Sequence, residues 1–60
     1  MKGYMKREIK ESIDREVMNK ALNNFQGEKF DMLDFILTKS MFKMAILERE
    51  GYTLEEYQNA

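Results

Sequence analysis

The chain has 60 residues and a net charge of −1, and it contains no cysteine, histidine, proline or tryptophan. A domain of this length buries only about 60% of the surface that its unfolded chain exposes, so a single core is marginally stable. Disulfides and ordinary zinc sites, which often stabilise small domains, need cysteine or histidine. The composition therefore favours association with a second chain.

The first predicted helix spans residues 5–26. Its apolar residues recur every four positions and are Met5, Ile9, Ile13, Val17 and Ala21. This spacing places them on one face of a helix. Gly27 is expected to end the helix, because glycine readily adopts the left-handed backbone conformation that follows many helices.

The second predicted helix, residues 32–50, has clear signals at both ends. Asp31 is expected to cap its amino terminus by accepting a hydrogen bond from a free backbone amide. Phe30 and Phe35 have the spacing of a hydrophobic staple, in which two apolar side chains pack across the start of a helix. Gly51 is expected to end the helix in the left-handed conformation.

A short third helix is predicted at residues 54–59. Thr53 and Glu56 match the capping box, in which each side chain bonds the backbone amide of the other residue. A helix this short is unstable in isolation. We therefore expect it to dock on the rest of the chain through Leu54 and Tyr57.

The second helix is apolar on two nearly opposite sides, which predicts burial on both. The wider stripe consists of Leu33, Ile36, Leu37, Ser40, Met41, Met44 and Leu47. The residues that we expect on the outer side, as a self-association surface for a second copy, are Phe35, Phe42, Ile46 and Met32. The alternative is that the short third helix covers them.

The predicted fold is all-α, with one domain over residues 1–60. It is a two-helix antiparallel hairpin with a short C-terminal helix, and two copies are expected to pack as a homodimeric helical bundle. Pairing supplies the shared core that one copy of this size lacks.

Catalysis is not expected from this chain. A nucleophile needs a base that accepts its proton near neutral pH, and histidine and cysteine are absent. Ser40 and Lys43 match the S-x-x-K motif of penicillin-recognising enzymes, but the other motifs of those enzymes are missing. No glycine-rich phosphate loop or calcium loop is present. We therefore predict no enzymatic activity, no cofactor or metal, and no small-molecule substrate.

Charge is distributed unevenly, and each end offers a candidate surface. The acidic C-terminal part is the candidate surface for a protein partner, formed by Glu48, Glu50, Glu55, Glu56 and Tyr57. The basic N-terminal part could follow nucleic-acid phosphates, through Lys2, Lys6, Arg7 and Lys10. Nearby glutamates dilute that basic face, so nucleic acid is the less favoured partner.

The expected function is that of a small non-enzymatic regulator or inhibitor that binds another protein through a helical surface. The alternative is a small dimeric DNA-binding transcriptional regulator that uses the basic face. Short chains without a catalytic site are typical of phages, other mobile elements and bacterial regulatory circuits. No apolar run approaches the roughly 20 residues of a membrane span, and no secretory signal is recognisable. We therefore expect a cytoplasmic protein.

Overall fold

The computed structural model describes residues 4–26 and 28–60. This part of the chain contains three helices. In chain order they are α1 (Arg7–Asn24), α2 (Met32–Glu50) and α3 (Leu54–Gln58). The two long helices pack against each other, in a molecule that measures 38 × 17 × 17 Å. The prediction of an all-α fold with two long packed helices is confirmed.

The first helix is shorter than predicted at both ends. Met5 precedes α1 but is still buried, with 2% of its surface exposed. Phe25 leaves the helix at its other end and stacks on Phe30, with ring centroids 4.5 Å apart. The helix therefore ends two residues before the predicted position, where Phe25 enters the aromatic contact. The predicted role of Gly27 lies outside the described residues.

The start of α2 follows the predicted capping pattern. The Asp31 carboxylate accepts a hydrogen bond of 2.8 Å from the backbone amide of Asp34. The rings of Phe30 and Phe35 stack with centroids 5.2 Å apart, which confirms the hydrophobic staple. Phe25 lies 6.2 Å from Phe35, so this aromatic cluster joins α1 to the start of α2.

The end of α2 is a Schellman ending. Gly51 has a φ of 81°, in the left-handed region that residues with a Cβ rarely adopt. Its backbone amide donates to the carbonyl of Glu48 at 3.2 Å, and the Tyr52 amide donates to the carbonyl of Leu47 at 2.9 Å. These two bonds satisfy carbonyl groups that the helix itself leaves free, and they turn the chain toward α3.

The third helix has the predicted capping box. The Glu56 amide donates to Thr53 Oγ1 at 3.1 Å, and the Thr53 amide donates to Glu56 Oε1 at 2.7 Å. Tyr52 and Tyr57, on either side of this box, are 9% and 8% exposed and belong to the core. The short helix is therefore docked through Tyr57, as predicted, whereas Leu54, the other predicted docking residue, is 40% exposed and lies outside the core.

The core lies between α1 and α2 and is closed at one end by α3. Its buried apolar residues are Met5, Ile13, Val17, Ala21, Ile46, Leu47, Tyr52 and Tyr57. The α1 residues are those of the predicted apolar face. The core is small, which agrees with the marginal stability expected for a domain of this length.

The orientation of α2 differs from the sequence prediction, which placed Phe35, Phe42 and Ile46 outside. Ile46 is only 2% exposed, Phe42 packs against the core, and Phe35 belongs to the aromatic cluster at the hairpin end. Ile46 and Phe42 belong to the same packed cluster as Ile13 and Val17 of α1, so this side of α2 faces α1. The outward assignment of these three residues is therefore wrong.

An ion pair links α1 to α2 at the surface. Arg49 donates two hydrogen bonds to the Glu16 carboxylate, at 2.9 and 3.0 Å. These bonds lower the pKa of Glu16 below its usual value and raise the pKa of Arg49. Lys20 lies 3.6 Å from the same carboxylate. Because these groups are exposed to water, the pair contributes little to the free energy of unfolding.

Candidate protein-binding surface

One side of α2 is apolar and exposed to solvent. We call the α2 face the five residues Leu33, Ile36, Leu37, Met41 and Met44, which are between 50% and 73% exposed. At 100° per residue these positions fall within an arc of about 140° on the helix. They belong to the stripe that the sequence analysis placed inside the chain. Because the aromatic side of α2 packs on α1, the aliphatic side points away from it.

The α2 face is large for a chain of this size. Its five side chains expose on the order of 600 Å² of apolar surface, which is at the upper end for the largest patch on a monomeric protein. Met32, 72% exposed, lies at its amino-terminal end. Of the four residues predicted to mediate self-association, Met32 is the one that is exposed to this extent.

The composition of the α2 face resembles the centre of a protein interface. Between residues 33 and 44 the arc contains one polar residue, Ser40, which is exposed and small. Charged residues lie at the edges of the arc, with Asp34 on one side and Lys43 on the other. An apolar centre with a polar rim is the usual arrangement where two proteins bind.

The end of the α2 face is set by α3. Leu47 continues the same stripe by sequence, but it is only 1% exposed and belongs to the core cluster that contains Tyr52 and Tyr57. The free part of the stripe therefore covers the amino-terminal two thirds of α2. One sequence signal distinguishes the buried Leu47 from the rest of the stripe. Leu47 and Tyr52 have the spacing of a Schellman ending, in which these two side chains are in contact.

The predicted acidic partner surface is only partly free. Glu48 and Glu55 are exposed, whereas Glu50 accepts a hydrogen bond of 3.0 Å from Arg49. Glu56 is half-buried in the capping box, and Tyr57 is buried. Three of the five residues are therefore engaged within the chain, two of them in the structure of α3.

Tyr57 is held by groups from both long helices. Its hydroxyl donates a hydrogen bond to the Asp14 carboxylate. The ammonium groups of Lys10 and Lys43 lie 5.2 and 4.8 Å from the centre of its ring, within the range of cation–π attraction. Burial, followed by the hydrogen bond to Asp14, raises the pKa of Tyr57 to about 12.

The predicted basic surface is reduced by the fold. Lys10 is half-buried, contacts Tyr57 and donates to the carbonyl oxygen of Ala60 at 3.4 Å. Lys6 and Arg7 are exposed, and Lys2 lies outside the described residues. The acidic end of the chain folds back beside the basic start, because α1 and α2 are antiparallel. This proximity weakens any local positive field.

The described residues offer little for small-molecule or metal chemistry. A shallow open groove of about 260 Å³ lies beside Ile9, Ser12 and Tyr52, below the usual volume of ligand pockets. Its charged lining residues are Glu16, Arg49 and Glu50, and Arg49 is already bonded to both carboxylates. Over residues 4–26 and 28–60, no group of three or more acidic residues is placed to hold a metal ion. None of the three described helices has the length and apolar content needed to cross a bilayer.

The comparisons with known proteins do not extend this description. Searches against protein-family models, curated proteins and solved structures found no match. The α2 face, the acidic end and the docked third helix are therefore interpreted from their own geometry.

Proposed function

We propose that this protein is a non-enzymatic regulator that binds a larger protein or complex through the α2 face, in the cytoplasm. The observation that carries this proposal is the exposure of five large aliphatic side chains along one side of a single helix. Exposed apolar surface of this extent marks interaction sites in folded proteins. The same face would accept an amphipathic helix or an apolar groove of the target.

Other features of the molecule favour a protein over a nucleic acid as the target. A phosphate backbone needs free cationic side chains, but Lys10 is engaged by α3. The α2 face itself has an uncharged centre, which suits an apolar protein surface and offers nothing to phosphates. Charged residues at its edges, such as Asp34 and Glu48, can steer the encounter and select the partner.

The experiment that tests this proposal compares two charge substitutions. Leu37→Asp places a carboxylate in the middle of the α2 face, where Leu37 is 56% exposed. Asn19→Asp adds the same charge at an exposed site of α1, two residues from both Val17 and Ala21 and therefore on the other side of that helix. Immobilised wild-type protein and both variants are exposed to lysate of the source cells, and a retained protein is purified and titrated against each.

We expect wild type and Asn19→Asp to bind the purified target equally, and Leu37→Asp to bind at least 100-fold more weakly, as for a central interface residue. Equal binding by all three proteins would assign the target to another surface. Failure to find any target that depends on Leu37, or Leu37-dependent binding to phosphatidylglycerol vesicles instead, would overturn the proposal.

A further inference from the structure

We infer that a second copy of this chain covers the α2 face in the free protein, with the two α2 helices antiparallel. A target that binds the same face must then displace this copy, so self-association would regulate target binding. The inference rests on the proposed function, because it concerns the same face. The sequence analysis predicts self-association through Phe35, Phe42 and Ile46, but Ile46 is buried and Phe42 packs against the core. Phe35 lies in the aromatic cluster, so the exposed α2 face takes their place as the self-association surface.

The available area fits a second copy. The five side chains of the α2 face expose on the order of 600 Å², and Met32 and the polar edges add to this. A standard stable interface buries about 800 Å² on each partner. Two such faces would together bury about 1,200 Å², which is the lower end of the range for specific stable interfaces.

The chemistry of the face is suited to its own copy. A two-fold interface brings the same patch of both chains together, so that patch must be complementary to itself. An uncharged aliphatic surface meets this condition, whereas a face with one sign of charge at its centre would repel its copy. Ser40, in the middle of the stripe, is small and allows the two helix axes to approach closely.

The position of α3 favours the antiparallel arrangement. The third helix belongs to the carboxyl-terminal end of α2, where Leu47 is buried. Parallel α2 helices would bring both copies of α3 to the same end of the interface. In the antiparallel arrangement, each α3 lies beside the uncovered amino-terminal end of the partner's α2, and the two-fold axis passes between about residues 37 and 40.

Sedimentation equilibrium at micromolar concentration tests whether the dimer exists. We expect wild type and Asn19→Asp to have twice the mass of one chain, and Leu37→Asp to have the mass of one chain. The substitution should weaken self-association by about 100-fold or more, because it buries an unpaired charge at the centre of the face. Helical circular dichroism of dilute samples checks that Leu37→Asp still folds.

Single cysteines test the orientation, since the natural sequence has none. Under mild oxidation Ser40→Cys should form a disulfide-linked dimer, while Leu33→Cys alone and Asn19→Cys should not. An equimolar mixture of Leu33→Cys and Met44→Cys should link across the two chains. Efficient linking of Leu33→Cys to itself would instead show parallel helices and overturn the antiparallel arrangement.

The outcomes separate this inference from the proposed function. A wild-type monomer that binds a target through Leu37 would overturn the second copy and leave the proposed function standing. A wild-type monomer without any Leu37-dependent binding would overturn both. A dimer that persists in Leu37→Asp would place self-association elsewhere on the chain and also overturn the inference.

Discussion

Tyr57 is the single side chain on which the attachment of α3 most depends. It is buried, bonds the Asp14 carboxylate of α1 and lies beside the ammonium groups of Lys10 and Lys43. The sequence predicts two roles for this tyrosine, docking of the third helix and binding of a partner. Because only 8% of Tyr57 is exposed, it can dock α3 but offers little surface for a partner to contact.

This environment predicts a loss of stability at alkaline pH. The folded protein raises the pKa of Tyr57 to about 12, above the value of about 10 for an unfolded tyrosine. The protonated phenol is therefore favoured by folding, and its contribution is complete below pH 10 and lost as the pH rises through 12. Tyr57→Phe should lower the free energy of unfolding by about 1 kcal/mol at neutral pH and should show a smaller further loss between pH 10 and 12.

Urea unfolding at a series of pH values measures this difference. Tyr4→Phe is the matched control, because Tyr4 is 72% exposed and its replacement should preserve the pH profile of the wild type. An identical slope for Tyr57→Phe and wild type above pH 10 would contradict the assignment of this loss to Tyr57.

At the scale of the element, the helix ends are the features that local sequence predicts best. Asp31, Gly51 and Thr53 act through backbone groups within a few residues of themselves, so no knowledge of the fold is needed to place them. The end of α1 was predicted less well, because Phe25 leaves the helix for contacts with Phe30 and Phe35. Those contacts depend on how the two helices come together at the hairpin end, and the spacing of apolar residues within one helix does not predict this.

The capping box gives a prediction for α3. With only five residues, this helix has few internal hydrogen bonds, so the bonds of Thr53 are a large part of its support. Thr53→Ala should lower the free energy of unfolding by about 1 kcal/mol. Gln58→Ala, an exposed change in the same helix, should stay within about 0.5 kcal/mol of wild type. Equal urea midpoints for the two variants would show that Tyr57 holds α3 without its cap.

At the scale of the molecule, the sequence showed that α2 is apolar on two sides but did not show which side is inward. The aliphatic stripe is longer than the aromatic one, and length alone favours it for the core. The buried side is instead the one whose Ile46 and Phe42 pack in the same cluster as Ile13 and Val17 of α1. Packing of this kind depends on both helices, so the apolar pattern of α2 alone does not show which side is buried. The self-association surface predicted at Phe35, Phe42 and Ile46 therefore lies on the wrong side of α2.

Two isoleucines on α2 test this orientation and the second copy together. Ile46 is 2% exposed and Ile36 is 50% exposed. Replacement by alanine therefore removes core contacts at Ile46 and exposed apolar surface at Ile36. Ile46→Ala should cost about 2–4 kcal/mol at every protein concentration, because it leaves a cavity in each chain. Ile36→Ala should cost no more than about 0.5 kcal/mol in dilute solution, where single chains dominate.

The concentration dependence of thermal unfolding distinguishes the two effects. If two chains share the α2 face, the Tm of wild type rises with protein concentration by mass action, and Ile36→Ala should reduce that rise. Ile46→Ala should lower the Tm at both ends of the range. A larger loss for Ile36→Ala than for Ile46→Ala in dilute solution would mean that the aliphatic side of α2 faces α1. A Tm of wild type that stays constant over a 100-fold range of concentration would argue against pairing through this face.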